Sequence, residues 1–177
     1  MLYLLKNGEN VLLRPPRVED AERLVEVMSQ ADGESPFLAR EPGEFDYTAE
    51  SEAKVVQEVL SNPDEAWFLP EYRGRVVGQC SARLVGRRSR FRHRAMVGFV
   101  LLKECWGLGI GGKMMEECLA WCREKGALQA ELEVVEGNER ALAMYRGFGF
   151  EATGRVPRGI RYADGSFADL IKMVKTL

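Results

Sequence analysis

The chain has 177 residues, of which 46% are hydrophobic and 29% are charged, and its formal net charge is -2. This length and composition predict one well-filled domain over residues 1–177 rather than two domains. The near-neutral charge argues against a global attraction to nucleic acid or to an anionic membrane surface. The longest apolar run, residues 95–102, is too short to span a membrane, so we expect a cytoplasmic protein.

The N-terminal half predicts a strand, two helices and an antiparallel meander. A strand is predicted over residues 11–14, and the following helix has an apolar face of Val18, Ala21, Leu24, Val25 and Met28. A second helix is capped by Thr48 and ends at Asn62-Pro63, with a core stripe of Val55, Val56, Val59 and Leu60. Residues 66–85 predict two strands joined by a tight turn at Arg73-Gly74, and a further strand covers 95–102.

The C-terminal half opens with a cluster of glycines directly before a helix. The glycines are Gly107, Gly109, Gly111 and Gly112, and the apolar face of the helix is Ile110, Met114, Met115, Cys118, Leu119 and Cys122. This helix ends at Gly126, and the strand after it, 128–135, should run parallel to the strand before the glycines. Asn138 caps a short helix through Tyr145, and a turn at Asp164-Gly165 precedes the last strand.

Glycines at a helix N-terminus let an anion approach unpaired backbone N–H groups, which predicts a pyrophosphate ligand here. A Walker loop is excluded because Met114 stands where the magnesium-binding hydroxyl is needed. A dinucleotide fingerprint is formally present, with Glu131 placed as a ribose-binding acid, but the antiparallel meander before it is atypical of that fold. Coenzyme A is the third ligand of this type.

Two motifs resemble the GNAT superfamily of N-acetyltransferases. The first is Trp106-Gly107-Leu108-Gly109-Ile110-Gly111, in which Trp106 replaces the usual Gln or Arg. The second is the set Asn138, Ala141, Tyr145, Gly149 and Phe150. The resemblance implies an α/β fold with a mixed central sheet, in which a parallel pair of strands splays apart around the glycines and their helix. It also implies an enzyme that uses acetyl-CoA without a metal and acetylates a primary amine directly, through a tetrahedral intermediate.

The same resemblance implies a role for each motif. The pantetheine arm of the cofactor would pair with the backbone of Phe99, Val100, Leu101 and Leu102, and the Val100 amide would face the thioester. The pyrophosphate would rest on residues 107–112, with Trp106, Asn138 and Ala141 completing the cofactor site. Tyr145 lies two helical turns from Asn138 and would protonate the departing thiolate, since a phenol stays protonated at neutral pH.

The general base is open, because Met96 occupies the position at which many relatives carry a glutamate. Glu131, Glu133, His93 and a water relay are the alternatives. The four cysteines, Cys80, Cys105, Cys118 and Cys122, are predicted to be reduced core thiols, with a reactive Cys105 beside the glycines as the alternative.

We expect the acceptor to be a small amine or a peptide N-terminus, with peptides, antibiotics, polyamines and amino acids all open. An acidic cluster consists of Glu34, Glu41, Glu44, Asp46, Glu50 and Glu52. This cluster favours a cationic acceptor, although a solvated helix start explains it equally well. An arginine cluster consists of Arg83, Arg87, Arg88, Arg90, Arg92 and Arg94. These arginines could bind an acidic acceptor or the ribose phosphate of the cofactor, and an exposed hairpin is the structural explanation for them. A homodimer is left open, and a cofactor-binding sensor without turnover is the alternative function.

Overall fold

The computed structural model describes residues 1–86 and 88–177, so Arg87 lies outside the described residues. Strands β1 (Leu2–Leu4) and β2 (Asn10–Arg14) come first. A 3-10 turn over Val18–Asp20 leads into helix α1 (Ala21–Glu34), which is followed by α2 (Ala49–Ser61). The meander consists of β3 (Glu65–Tyr72), β4 (Arg75–Val76), β5 (Gly78–Leu84) and β6 (Arg94–Leu101).

The second half starts with a 3-10 turn over Lys103–Cys105 and helix α3 (Ile110–Glu124). It continues with β7 (Gln129–Val135), α4 (Glu139–Gly147), β8 (Glu151–Arg161) and β9 (Phe167–Thr176). The described residues form one nine-stranded sheet in the order β1-β2-β3-β5-β6-β7-β9-β8, with β4 paired to β3. Within these residues, no helix is both long enough and apolar enough to cross a membrane.

The sheet opens between its two parallel strands, β6 and β7. These strands pair only at their N-terminal ends, where residues 94–96 face residues 129–131. Each keeps a full antiparallel ladder with its outer neighbour, β5 or β9. Because the outer ladders hold the two strands, nothing closes the gap beyond Met96, and the predicted mixed sheet with a splayed parallel pair is confirmed.

The helices cover the two faces of this sheet. Because side chains alternate along a strand, Phe99 and Leu101 contact the large core cluster under α3, whereas Val100 packs with Val27 and Ala31 of α1. Tyr145 of α4 belongs to the α3-side cluster. The gap between β6 and β7 is therefore lined by α3 and α4 on one face and by α1 on the other.

Two local predictions about the N-terminal half are confirmed. The Thr48 side chain accepts a hydrogen bond from the Ser51 amide at the start of α2. The turn at Arg73-Gly74 has positive φ at both residues, 51° and 74°, as a tight hairpin between twisted strands requires.

The predicted helix faces need correction at their edges. In α1, Val27 and Ala31 are buried, whereas Val25 is only half-buried. In α2, Leu60 is 52% exposed and the buried position of the first turn is Glu52. Strand β1 was not predicted, since three residues are too few to show a reliable alternation.

Candidate active site

The turn before α3, residues 106–112, is called the glycine turn here. Gly107 and Gly109 have φ angles of 80° and 93°, in the left-handed region that side chains with a Cβ rarely adopt. Gly109 is the N-cap of α3, and a Cβ built at either glycine would meet no atom within 4 Å. These two glycines are therefore required by backbone conformation, and the space beside them is open.

The glycine turn presents backbone donors that no carbonyl of the helix can satisfy. The amides of Ile110, Gly111 and Gly112 precede the first bond of the helix, from Lys113 N to the Gly109 carbonyl at 3.3 Å. The helix dipole adds partial positive charge at the same place. Unpaired amides and partial positive charge at one turn are the features that bind anions at helix N-termini.

A cleft of about 730 Å³ runs from the glycine turn into the gap between β6 and β7. The predicted site residues that line it are Phe99, Val100, Leu101, Trp106, Gly107, Gly109, Gly111, Gly112, Asn138, Ala141 and Tyr145. The structure thus brings the two sequence motifs to one cavity, from elements that are separated by β7.

Leu102, Leu108 and Ile110 do not line the cleft. Leu102 is fully buried, and its amide donates to the Val77 carbonyl at 3.0 Å, so it has no free N–H for a ligand. Ile110 is buried in the core, and Leu108 packs against the same cluster. The structure therefore leaves no free Leu102 amide for the predicted pairing with the cofactor.

The predicted backbone contact at Val100 must be shifted. Leu102 N–H and the Arg94 carbonyl both bond towards β5, so the even-numbered residues of β6 direct their polar groups to that strand. Val100 pairs with Gln79, and its carbonyl lies only 2.4 Å from where a Cβ on Gly78 would be. The amides of Phe99 and Leu101, not that of Val100, therefore face the gap.

Asn138 and Tyr145 project from α4 into the cleft. Asn138 Oδ1 accepts from the Ala141 amide at 3.2 Å, which leaves its side-chain NH₂ free to donate to a ligand. Tyr145 is 8% exposed, and burial raises its pKa to about 12. Its hydroxyl donates no hydrogen bond to any described residue, so the phenol reaches the cleft protonated and unpaired.

Comparison with known proteins agrees with this geometry. The family model for GNAT acetyltransferases matches residues 25–150. The chain belongs to the GNAT family of acetyltransferases. A search of the curated proteins found no match.

The fold of this GNAT acetyltransferase is similar to several solved structures. A GNAT-family acetyltransferase from Streptococcus pneumoniae is 25% identical, with a TM-score of 0.88 and coverage of 94% of this chain and 99% of that one. A ribosomal-protein-alanine N-acetyltransferase from Brucella melitensis is 22% identical, with a TM-score of 0.82 and the same coverage. A phosphinothricin acetyltransferase from Sinorhizobium meliloti, solved with acetyl-CoA, is 20% identical, with a TM-score of 0.81 and coverage of 94% and 88%.

The structure separates the alternatives for the base of this acetyltransferase. Glu131 is 2% exposed and is held by Arg94 and Gln129, and the Arg94 guanidinium lowers its pKa. It does not line the cleft, and neither does the exposed His93, which precedes β6 at the end of the strand opposite Val100. Glu133 does line the cleft, with a side chain that is 38% exposed and lies 3.6 Å from Lys172 Nζ. Met96, at the usual acid position, pairs with Glu131 at the closed end of the gap.

Glu133 and Tyr145 approach the gap from opposite faces of the sheet. Leu132 and Val134, on either side of Glu133, belong to the core cluster that contains Tyr145. Since side chains alternate along β7, Glu133 points to the other face, which α1 covers.

Three residues that the sequence did not single out also line the cleft. Phe37 comes from the loop between α1 and α2, and its ring lies 3.9 Å from a Cβ built on Gly137. Met144 fills the space beside Gly111, where a Cβ would be 3.3 Å from its sulfur. Arg140 stands over the Trp106 ring. Arg140 and Met144 had a local signal, because both lie inside the motif from Asn138 to Tyr145, whereas Phe37 had none.

A second cavity of about 460 Å³ adjoins the cleft and shares Glu34, Ser35 and Leu38 with it. It lies between the α1–α2 loop and the β8–β9 hairpin, and Ala163 N donates to Glu41 there at 2.8 Å. Most of the predicted acidic cluster lies in or near this loop, but Glu34 already accepts from Lys103 N at 2.7 Å.

The remaining candidates, Cys105 and the arginine cluster, do not present a reactive or unpaired group to the cleft among the described residues. Cys105 borders the cleft but is 2% exposed, and burial raises the pKa of its thiol, which argues against a reactive thiolate. The described arginines of the predicted cluster do not line the cleft, and Arg92 and Arg94 are paired with Asp64 and Glu131. Arg87, the other member of that cluster, lies outside the described residues.

Proposed function

We propose that this acetyltransferase moves the acetyl group of acetyl-CoA to the primary amine of a small molecule or of a peptide N-terminus. The observation that carries the proposal is the placement of Tyr145 and Glu133 on opposite faces of the gap between β6 and β7. A protonated phenol without a partner among the described residues, and a carboxylate that lines the cleft 3.6 Å from Lys172 Nζ, are the acid and base that we assign to amine acylation.

The α3 and α4 face is the proposed side of entry for the cofactor. The glycine turn offers free amides for the pyrophosphate, and the Asn138 side-chain NH₂ offers a donor to the pantetheine arm. The amides of Phe99 and Leu101 face the gap, and we assign them to the pantetheine arm and to the acetyl oxygen. Bound acetyl-CoA supplies the activated acetyl group, and these donors stabilise negative charge on its oxygen as the amine attacks.

The α1 face is the proposed side of entry for the acceptor. Glu133 accepts the proton of the attacking amine, directly or through one water, from the face opposite the cofactor. Tyr145 donates its proton to the departing sulfur, and the phenolate regains a proton from solvent. This assignment replaces the Glu131 and His93 alternatives with Glu133, the one side chain of these three that borders the cleft.

The second cavity is the proposed site for the rest of the acceptor. Two interactions stabilise its walls: the hydrogen bond that Ala163 N donates to Glu41, and the ion pair between Arg40 and the buried Asp32 at 2.8 Å. A cavity of this size admits a small amine or the first residues of a peptide. Its wall carries both cationic and anionic side chains, so the choice between these acceptors is made by experiment.

An amine panel with acetyl-CoA tests the proposal directly. Polyamines, amino acids and short peptides with free N-termini would each be incubated with protein and acetyl-CoA while free thiol is measured. We expect thiol release that depends on one class of amine and exceeds the amine-free background. His93→Gln is the matched control, since this exposed residue does not line the cleft and its loss should leave turnover unchanged.

A sensor that binds acetyl-CoA without turnover is the second candidate, favoured by the absence of an acid at Met96. The two functions differ in one readout. Calorimetric binding of acetyl-CoA with no thiol release across the whole panel would support the sensor and contradict the transferase.

A further inference from the structure

Arg140 and Trp106 form a stacked pair at the end of the cleft that holds the glycine turn. The Arg140 Cζ lies 5.1 Å from the centre of the Trp106 ring. Trp106 is half-buried, and its Nε1 donates to the Leu101 carbonyl at 2.8 Å, which fixes the ring against the end of β6. The stacking therefore holds the Arg140 guanidinium, which comes from α4, beside the glycine turn that precedes α3.

The guanidinium of Arg140 is not neutralised by any carboxylate that the structure describes. Arg140 is exposed, and it forms no ion pair with a carboxylate in residues 1–86 or 88–177. By contrast, Arg155, just beyond the same helix, is bonded to both Glu136 and Asp169. Both Arg140 and Trp106 line the cleft, so the free N–H groups of the guanidinium are available to a bound ligand.

A guanidinium on an aromatic ring is well suited to a phosphate. Its planar set of N–H donors matches two phosphate oxygens, and stacking reduces the freedom that is lost on binding. The neighbouring amides of the glycine turn and the dipole of α3 attract an anion to the same place. The ligand that both features favour is a negatively charged phosphate group, not the uncharged pantetheine arm.

We propose that Arg140, positioned by Trp106, binds a phosphate of the nucleotide half of coenzyme A. This residue then determines the preference of the enzyme for the full coenzyme over shorter pantetheine thioesters. The inference rests on the proposed function, because it needs acetyl-CoA in the cleft. The phosphate is either in the diphosphate bridge or at the 3′ position of the ribose, and the two differ in the test.

The test compares wild type with Arg140→Gln by calorimetry, using acetyl-CoA and its 3′-dephospho form. Acetyl-pantetheine, which has no phosphate, is titrated by NMR. We expect the dissociation constant for acetyl-CoA to rise about tenfold in Arg140→Gln and that for acetyl-pantetheine to stay unchanged. If wild type and Arg140→Gln bind the 3′-dephospho form with equal affinity, Arg140 contacts the 3′-phosphate. If the tenfold difference between them persists with this form, Arg140 contacts the diphosphate. The difference should shrink at high salt.

Two further variants separate phosphate binding from a structural effect. Arg146→Gln on the same helix is the matched control, since Arg146 is exposed and does not line the cleft. Its affinities should equal those of wild type. In a Trp106→Leu background, Arg140→Gln should raise the dissociation constant for acetyl-CoA by less than threefold, because the guanidinium is no longer held in place.

Unchanged acetyl-CoA affinity in folded Arg140→Gln would overturn the inference while leaving the proposed function intact. An equal loss for acetyl-CoA and acetyl-pantetheine would also overturn it, since the effect would not depend on a phosphate. If wild type itself does not bind acetyl-CoA, the proposed function fails and the inference fails with it.

Discussion

Replacing Tyr145 with Phe removes one hydroxyl from the candidate reaction centre and little else. The ring packs against Phe99 and Phe150, with centroid distances of 6.1 Å to each, and these contacts are kept in the variant. Because the hydroxyl donates no hydrogen bond to a described residue, its loss leaves no buried partner unpaired. We therefore expect the free energy of unfolding to change by less than about 1 kcal/mol.

The catalytic effect should be much larger. If the phenol protonates the departing thiolate, kcat should fall about 10²-fold, or about 2.7 kcal/mol in activation free energy, with acetyl-CoA affinity nearly unchanged. Burial raises the pKa of Tyr145 to about 12, so the acid stays protonated throughout the usual assay range. Tyr145 should consequently produce no loss of activity between neutral pH and pH of about 10.

The assay uses the amine identified by the panel, with single-turnover measurements to isolate the chemical step. Tyr3→Phe is an informative control, because the Tyr3 hydroxyl bonds to Glu117 at 2.6 Å, outside the cleft. It should lower stability by about 1–2 kcal/mol and leave kcat unchanged, the reverse of the pattern for Tyr145→Phe. Wild-type single-turnover rates in Tyr145→Phe would refute the acid role and leave water as the proton donor.

Three other predictions concern the turn, the base and the closed end of the gap. Gly109→Ala should weaken acetyl-CoA binding about tenfold, because alanine strains the positive φ of this position. Gly112→Ala, whose backbone has no positive φ, should not cause that strain. Equal losses of acetyl-CoA affinity in the two variants, measured by calorimetry, would contradict this. Glu133→Gln should lower kcat/KM about 10²-fold with stability retained, and unchanged kinetics would favour the water relay. Glu131→Gln should cost about 2 kcal/mol of stability at pH 7, because the bond to Arg94 stabilises the fold above the unfolded carboxyl pKa. This difference should disappear as the pH falls through the lowered pKa, and urea unfolding that shows the same loss at acid pH would contradict the mechanism.

The sequence by itself determined the parts of the site that are set by local geometry. The glycines before α3 and the seven-residue spacing from Asn138 to Tyr145 follow from helix caps, helix periodicity and left-handed backbone positions. These features depend on residues a few positions apart, so the pattern and its ligand class are readable without a partner strand. The family resemblance rested on the same local motifs, and the family match agrees with them.

Only the tertiary structure decided which groups meet across the gap. The direction of an amide in β6 depends on its register with β5, and this register assigned the gap to Phe99 and Leu101 rather than to Val100. Glu131 and Glu133 have the same alternation in the sequence, but Glu131 is buried against Arg94 at the closed end of the gap, whereas Glu133 is paired with Lys172 and lines the cleft. Such differences arise from long-range strand pairing and helix docking, which the local sequence pattern does not encode.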